Sequence, residues 1–388
     1  MVKQLAARYF AQMIEYRRYI HQNPELSGHE KETARYICQV LDQLAIPYRR
    51  NISGYGIVAL LRGEKGEGKT VALRADMDAL PIQEVSDKPY RSRVDGVSHA
   101  CGHDVHVACL LGALHILNDL KSAFGGTVKA IFQPSEEEYE GGAKFMIADG
   151  VLEDVDVIYG LHVTPGIETG QIGVRSGAMM ASTDELHLQI IGKGGHAALP
   201  DEVVNPIEMG IDIIREIENF TKNNNTRQIP TVLTFGRFIA EGKANVIPGI
   251  AKITGTLRTF DEGWRAEVLQ QLKKITDQVA DQYGGKVISD IRNGYPVLKN
   301  DEKLTKNFIQ IAKSFLGDEN VTEIPPRMTA EDFAYYLQKK PGVFFRLGTS
   351  NMSQNITQKL HTADFDIDER AMEVGAGLLA EIIMNDKP

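Results

Sequence analysis

Potential metal ligands crowd together in the stretch Ser98-His99-Ala100-Cys101-Gly102-His103-Asp104-Val105-His106, which holds three histidines, a cysteine and an aspartate. Thiolate and imidazole groups are both good ligands for borderline-soft divalent ions. Gly102 lets the backbone bend, so that the side chains of Cys101 and His103 can converge on one centre. A single histidine is more often a polar loop residue. The density of this cluster favours a metal site.

The length and charge of the chain narrow the classes of function. At 388 residues it exceeds the usual size of a single hydrophobic core, so we expect two domains. A formal net charge of −9 argues against a nucleic-acid-binding protein and gives no attraction to anionic membranes. We therefore expect a small molecule or a peptide as the partner.

The distribution of apolar residues and cysteines predicts a cytoplasmic protein. The sequence contains no apolar run long enough for a transmembrane helix, and its first ten residues lack the apolar core of a signal peptide. The three cysteines, Cys38, Cys101 and Cys109, are too few to form a disulfide framework. Cys101 is thus expected to be free for a metal.

Carboxylates follow two apolar segments that are typical of buried strands. The first segment begins at Val71 and runs out at Asp76 and Asp78, while residues 125–132 lead into Glu136 and Glu137. Active-site groups collect where such strands end in open α/β sheets. Solvated acidic turns are the competing interpretation. Two adjacent glutamates favour a division of labour between a metal ligand and a general base.

A third apolar segment of the same kind, residues 157–161, ends at His162, which is a natural ligand position.

The pattern of apolar residues changes after this segment. Residues 184–191 alternate polar and apolar side chains, and a strand-helix-strand-strand-helix-strand order continues to residue 293. This order predicts a compact two-layer α/β sandwich inserted into the chain. The expected domains are residues 1–180 with 294–388, and residues 181–293.

A series of motifs follows in this order along the chain: Arg74-Ala75-Asp76-Met77-Asp78-Ala79-Leu80-Pro81, Ala100-Cys101-Gly102-His103-Asp104, Phe132-Gln133-Pro134-Ser135-Glu136-Glu137, Gly160-Leu161-His162, Gly192-Lys193-Gly194-Gly195-His196-Ala197, Asn245-Val246-Ile247-Pro248 and His361. Together they resemble one known family, the aminoacylase, hippurate hydrolase and auxin-conjugate hydrolase branch of the zinc-carboxypeptidase-like amidohydrolases. The resemblance implies an α/β fold: a zinc-exopeptidase-like catalytic domain with a mixed sheet flanked by helices, and the insert as a lid and dimerisation domain.

The resemblance also implies the composition of the site. Glu136 is expected to be the general base, and Asp78 to orient a ligand histidine from behind. Ser135 stands where the family more often has alanine, and Asp76 stands where more distant relatives have a metal-binding histidine. We expect two divalent ions, zinc, manganese, cobalt or nickel, with the ligands Cys101, His103, Glu137, His162 and His361.

The implied activity is hydrolysis of the amide bond of N-acyl-L-amino acids by a homodimer paired through its lids. Arg258, helped by Asn245, is our candidate for binding a substrate carboxylate, because a guanidinium is the best bidentate partner for one. His196, in a glycine-rich turn, is our candidate donor to the developing oxyanion, acting on the site of the partner subunit. A surface arginine and a plain loop histidine are the simpler interpretations.

Two other functions stay open. An exopeptidase or dipeptidase would use the same machinery on a peptide bond. A non-catalytic binding protein would keep a decayed metal site, but such a site should have lost its base, and Glu136 is present.

Overall fold

A computed structural model describes residues 1–385 of the chain. None of the helices in this range is both long enough and apolar enough to span a bilayer. The helices are α1 (Val2–Gln22), α2 (Lys31–Gln43), α3 (His103–Asp119), α4 (Gly142–Ala148), α5 (Pro206–Asn224), α6 (Glu262–Tyr283), α7 (Glu302–Leu316), α8 (Ala334–Leu337) and α9 (Ala371–Asn385). The strands are β1 (Tyr48–Ile52), β2 (Gly56–Arg62), β3 (Thr70–Asp76), β4 (Thr127–Gln133), β5 (Val157–Glu168), β6 (Ile172–Val174), β7 (Gly177–Met180), β8 (Asp184–Ile191), β9 (Gly195–His196), β10 (Thr231–Ile239), β11 (Val246–Ile247), β12 (Ile250–Thr259), β13 (Lys286–Asn293), β14 (Leu298–Asn300), β15 (Val321–Glu323) and β16 (Gly342–Ser350).

The chain forms two compact units. The first, called here the catalytic unit, contains Met1–Gly177, Lys299–Pro325 and the chain from Asp332 onward. The second, called the inserted unit, contains Ala178–Leu298 together with the short segment Pro326–Glu331. This short segment joins the inserted unit because the backbone N–H of Arg327 donates to the carbonyl oxygen of Met179.

The catalytic unit is built on a mixed sheet of eight strands in the order β1-β2-β4-β3-β5-β16-β6-β15. The strands β4, β3, β5 and β16 are parallel neighbours. Their side chains are buried almost throughout. This burial explains why the sequences of these strands are continuous apolar runs and do not alternate between polar and apolar residues. Asp76 at the end of β3 pairs with Gln133 at the end of β4, so both strands deliver their following residues to the same edge.

Helix α3 is the centre of the hydrophobic core of the catalytic unit. It packs against β3 and β5 as well as against α1 and α9, and its apolar residues are buried all around. The apolar run of this segment begins at Val107, whereas the helix itself begins at His103. The extra turn forms because Gly102 adopts a left-handed conformation, with φ of 83°. This start places His103 in the first turn of a rigid helix.

The inserted unit is the two-layer sandwich that the sequence predicts. Its sheet has the antiparallel order β10-β12-β8-β13. Side chains of β8 and β12 alternate between buried and more exposed, and α5 and α6 cover the buried face. Trp264 of α6 anchors that core, while Asp261 caps the helix by accepting the backbone N–H of Trp264.

Candidate active site

The side chains that the sequence predicts as ligands gather at one edge of the sheet in the catalytic unit. They come from the segments after β3 and β4, from β5, from the start of α3 and from the loop before α9. Chain segments far apart in sequence meet here because β3, β4 and β5 run parallel. The residues brought together are Asp78, Cys101, His103, Glu136, Glu137, His162 and His361.

Cys101 lies at the centre of these side chains. Its Sγ atom is 3.4 Å from Nε2 of His162 and 3.3 Å from Nε2 of His361. The same Nε2 atom of His361 lies 3.4 Å from Oε1 of Glu137. Two groups of possible ligand atoms therefore share the Cys101 thiol: one is completed by His103 and His162, the other by Glu137 and His361.

His103 is held from behind and presents its other nitrogen to the site. Its Nδ1 atom is 3.1 Å from Oδ1 of Asp78. Its Nε2 atom lies 3.9 Å from Oε1 of Glu137, and within residues 1–385 neither of these two buried atoms has a hydrogen-bond partner. Buried polar atoms are rarely left unpaired. These two buried atoms face each other and lie beside a thiol and two further imidazoles. Donors of this number and kind fit a divalent metal ion.

Unusual backbone conformations shape the site at two places. A Cβ atom at Gly102 would lie 2.5 Å from Cγ2 of Val163, so the bend between Cys101 and His103 requires a glycine. His361 is in the left-handed region with φ of 61°, and its backbone N–H donates to the carbonyl oxygen of Ala100. That hydrogen bond fixes the half-exposed His361 beside Cys101.

The two glutamates follow a tight turn. Ser135 has φ of 58°, which is uncommon for a residue with a side chain. The backbone N–H of Glu137 donates to Oδ2 of Asp78 at 2.9 Å. Glu136 is nearly buried, with 6% of its surface exposed, and its Oε2 atom lies 4.0 Å from Nε2 of His103. A nearly buried carboxylate this close to the possible ligands suits proton transfer.

Burial and charge set the protonation of these groups. Burial lowers the pKa of His162 well below its usual value and raises the pKa of the Cys101 thiol. Burial also acts to lower the pKa of His103, but the negative charge of Asp76 and the hydrogen bond to Asp78 raise it to about 10. A metal ion that binds here must therefore displace protons from both Cys101 and His103.

Two buried residues beside the site, His106 and Asp76, were given no role from the sequence. Nδ1 of His106 is 2.5 Å from Oδ1 of Asp76, and Nε2 of His106 accepts the backbone N–H of Val163. Arg74 donates to the second oxygen of Asp76. Both ring nitrogens of His106 are thus engaged in supporting the strands. His106 follows His103 by three residues, and in a helix this spacing places both imidazole rings on one face. This spacing could have predicted that His106 lies near the site.

The other three predicted residues lie in the inserted unit. The short ladder of β9 and β11 brings the exposed His196 close to the segment of Asn245, whose carbonyl oxygen accepts the N–H of Ala197. Nδ1 of His196 accepts the backbone N–H of Ala198. Arg258 is on β12, is half-buried, and donates to the carbonyl oxygen of Met328.

Comparison with known proteins gives a consistent family. The model of Peptidase family M20/M25/M40 matches residues 72–385. Thermostable carboxypeptidase 2 of Saccharolobus solfataricus is 37% identical, with 94% of this chain and 92% of the relative covered. The N-acetyl-L-cysteine deacetylase of Bacillus subtilis is 38% identical, with 93% and 85% covered.

A solved structure is similar over the same length. It is the Bacillus subtilis YXEP protein, described as a dinuclear metal-binding peptidase of the M20 family, with a TM-score of 0.82, 33% identity, and 97% of this chain and 98% of that chain covered. The family resemblance and the fold class inferred from the sequence are confirmed. The chain belongs to Peptidase family M20/M25/M40 and is a hydrolase that acts on amide bonds.

Proposed function

We propose that this hydrolase cleaves the amide bond of N-acyl-L-amino acids and releases a carboxylate and a free amino acid. The observation that carries the proposal is a pair of buried atoms, Nε2 of His103 and Oε1 of Glu137, that have no hydrogen-bond partner among the described residues, with the carboxylate of Glu136 close to His103. The relative named N-acetyl-L-cysteine deacetylase supports this substrate class.

We further propose that two divalent ions bind here, with zinc, manganese, cobalt and nickel as the candidates. The two groups of donors that share Cys101 support two positions, and the relative described as dinuclear supports the same number. A thiolate that belongs to both groups of donors, together with one more anionic ligand, would suit two cations in one pocket. The proposed ligands are Cys101, His103, Glu137, His162 and His361.

The side chains divide the chemistry among them. Metal ions held by the proposed ligands would supply Lewis acidity for the amide carbonyl and would lower the pKa of the attacking water to about 7. Glu136 takes the proton of that water and passes it to the leaving nitrogen. Asp78 holds Nδ1 of His103 and the backbone of Glu137, so that both ligands keep their orientation.

The peptidase alternative is supported by a different observation. The relative named thermostable carboxypeptidase 2 matches the chain as well as the deacetylase does. Since an N-acyl amino acid and a dipeptide both present an amide bond next to a carboxylate, the same side chains serve either substrate. A non-catalytic protein with a decayed site is less well supported, because Glu136 lies buried close to His103.

Arg258 is our proposed binding residue for the substrate carboxylate, with Asn245 as a polar helper. Its guanidinium is half-buried, and burial lowers its pKa. The guanidinium of Arg258 donates a hydrogen bond to the carbonyl oxygen of Met328. In the described part of the chain no carboxylate forms an ion pair with this guanidinium. A desolvated guanidinium with spare donors is well suited to a carboxylate ligand.

His196 is our proposed donor to the oxyanion, reaching the site of the partner subunit in a homodimer paired through the inserted units. Because Nδ1 of His196 accepts the backbone N–H of Ala198, a neutral ring carries its proton on Nε2. That nitrogen is then a donor on an exposed side chain. We also propose a cytoplasmic location, which the three unpaired cysteines support.

The first prediction separates the base from the ligands. Glu136→Gln should lower kcat by about 10²-fold or more while it keeps the metal content, because only the proton acceptor is lost. His361→Ala should instead lower the metal content, because a ligand is lost. Turnover is measured on N-acyl amino acids and on dipeptides with each of the four metals. Elemental analysis of the same proteins gives their metal content. Near-normal turnover in Glu136→Gln would remove Glu136 from the mechanism.

The second prediction tests Arg258. Arg258→Ala should raise KM strongly for an N-acetyl amino acid and much less for the corresponding carboxamide, because the charged pair exists only with the carboxylate. Steady-state kinetics on the two substrates gives the comparison. Arg237→Ala, on the neighbouring strand β10, serves as the control. Equal losses on both substrates would contradict the proposed role.

The third prediction tests His196 across subunits. Inactive His196→Ala and Glu136→Gln proteins, mixed under conditions of subunit exchange, should recover about a quarter of wild-type activity, because half of the dimers are mixed and each has one complete site. Each protein alone, incubated in the same way, is the control. No recovery despite mass-spectrometric detection of mixed dimers would place His196 in its own subunit's site.

A further inference from the structure

A buried glutamate far from the ligands in sequence contacts the turn that carries Glu136 and Glu137. Glu30 is fully buried at the end of residues 25–30, a segment called here the support loop. Its Oε1 atom accepts the backbone N–H of Ser135 at 2.8 Å and lies 3.4 Å from the Ser135 hydroxyl. The support loop therefore holds the residue directly before Glu136.

The support loop reaches the same turn by a second route. The hydroxyl of Ser27 donates to Oδ2 of Asp78 at 2.6 Å, and that oxygen also accepts the backbone N–H of Glu137. The loop itself is well anchored, because the backbone N–H of Ala79 donates to the carbonyl oxygen of Glu25. Residues on both sides of Glu136 are thus tied to one short segment.

The conformation of Ser135 explains why such support is needed. Its φ of 58° is in the left-handed region, which disfavours any residue that has a Cβ atom. Without the hydrogen bond from its backbone N–H to Glu30, the turn would relax toward a more common conformation and re-aim the Glu136 side chain. The N–H of Gly142, which donates to the carbonyl oxygen of Ser135, constrains only the other side of this peptide.

Glu30 is also an expensive residue to bury. Its Oε2 atom is buried and has no hydrogen-bond partner among the described residues. A buried carboxyl group that is only partly satisfied opposes folding. A buried polar group that is not fully hydrogen-bonded is typical of positions that contribute to a functional site and not to stability.

We propose that Glu30 is a positioning residue for catalysis, which holds Ser135 in its left-handed conformation and thereby aims Glu136. The proposal rests on the proposed role of Glu136 as the general base. It assigns a function to a residue that touches neither the metal ligands nor, in the proposed mechanism, the substrate.

The test combines a loss with a specific rescue. Glu30→Met, which keeps the bulk but removes the acceptor, should lower kcat by about 10²-fold with little change in KM or metal content, since a misplacement of about 1 Å has this effect. Adding Ser135→Gly should recover much of that loss, because glycine adopts the left-handed conformation without a steric penalty. Glu30→Gln should retain most of the turnover, because it keeps the acceptor oxygen; burial raises the pKa of Glu30 to about 7, so a neutral side chain is a fair mimic.

Hydrogen exchange supplies a readout that does not depend on activity. The amide of Ser135 should exchange faster in Glu30→Met than in the wild type, with or without metal. Glu25→Gln is the matched control from the same loop, because among the described residues the Glu25 carboxylate accepts its hydrogen bonds from the first turn of α2, at Glu32 and Thr33. This variant should leave both kcat and the exchange of Ser135 unchanged.

The outcomes distinguish the two proposals. Wild-type kcat in Glu30→Met, or a loss that Ser135→Gly does not relieve, would overturn the role of Glu30. If Glu30→Met does not fold, Ser27→Ala tests the second contact, and an unchanged kcat there would count against the support loop. If Glu136→Gln stays active while the exchange of Ser135 still depends on Glu30, the assigned base is wrong, although the structural contact is real.

Discussion

The site depends on one carboxylate that fixes two ligands at once. Oδ1 of Asp78 holds Nδ1 of His103, and Oδ2 of Asp78 holds the backbone N–H of Glu137. This arrangement keeps Nε2 of His103 and Oε1 of Glu137 facing each other at 3.9 Å, although neither buried atom has a hydrogen-bond partner among the described residues, which is energetically unfavourable. The binding of a metal ion would offset this unfavourable energy, because both atoms could then act as ligands.

A second buried charge joins the ligand-bearing segments that are farthest apart in sequence. The guanidinium of Arg17 on α1 is fully buried and pairs with Asp104, directly after His103, and with Asp366, in the segment that follows His361. These ion pairs are stable only while every partner is present, since removing one leaves an uncompensated buried charge. The positions of His103 and His361 are therefore coupled through the core rather than through the site alone.

Periodicity was sufficient to predict the buried strands that lead into the site and the inserted sandwich, because buried strands and half-buried strands have different apolar patterns. It could not predict that Asp76 binds His106, because that contact depends on how α3 packs against β3. The left-handed conformations of Ser135 and His361 were likewise not predicted, since serine is uncommon in that region and the enrichment of histidine there does not single out one position. Their conformations are imposed by hydrogen bonds from distant segments, Glu30 in one case and Ala100 in the other.

The central claim is that these side chains form a dinuclear metal centre around Cys101. Anomalous X-ray scattering from crystals of the metal-loaded protein, recorded on either side of the absorption edge of the metal, tests it most directly. The account predicts two peaks per chain next to Sγ of Cys101, one bounded by His103 or His162 and the other by Glu137 and His361. Peaks elsewhere, or none within bonding distance of Cys101, would contradict the account.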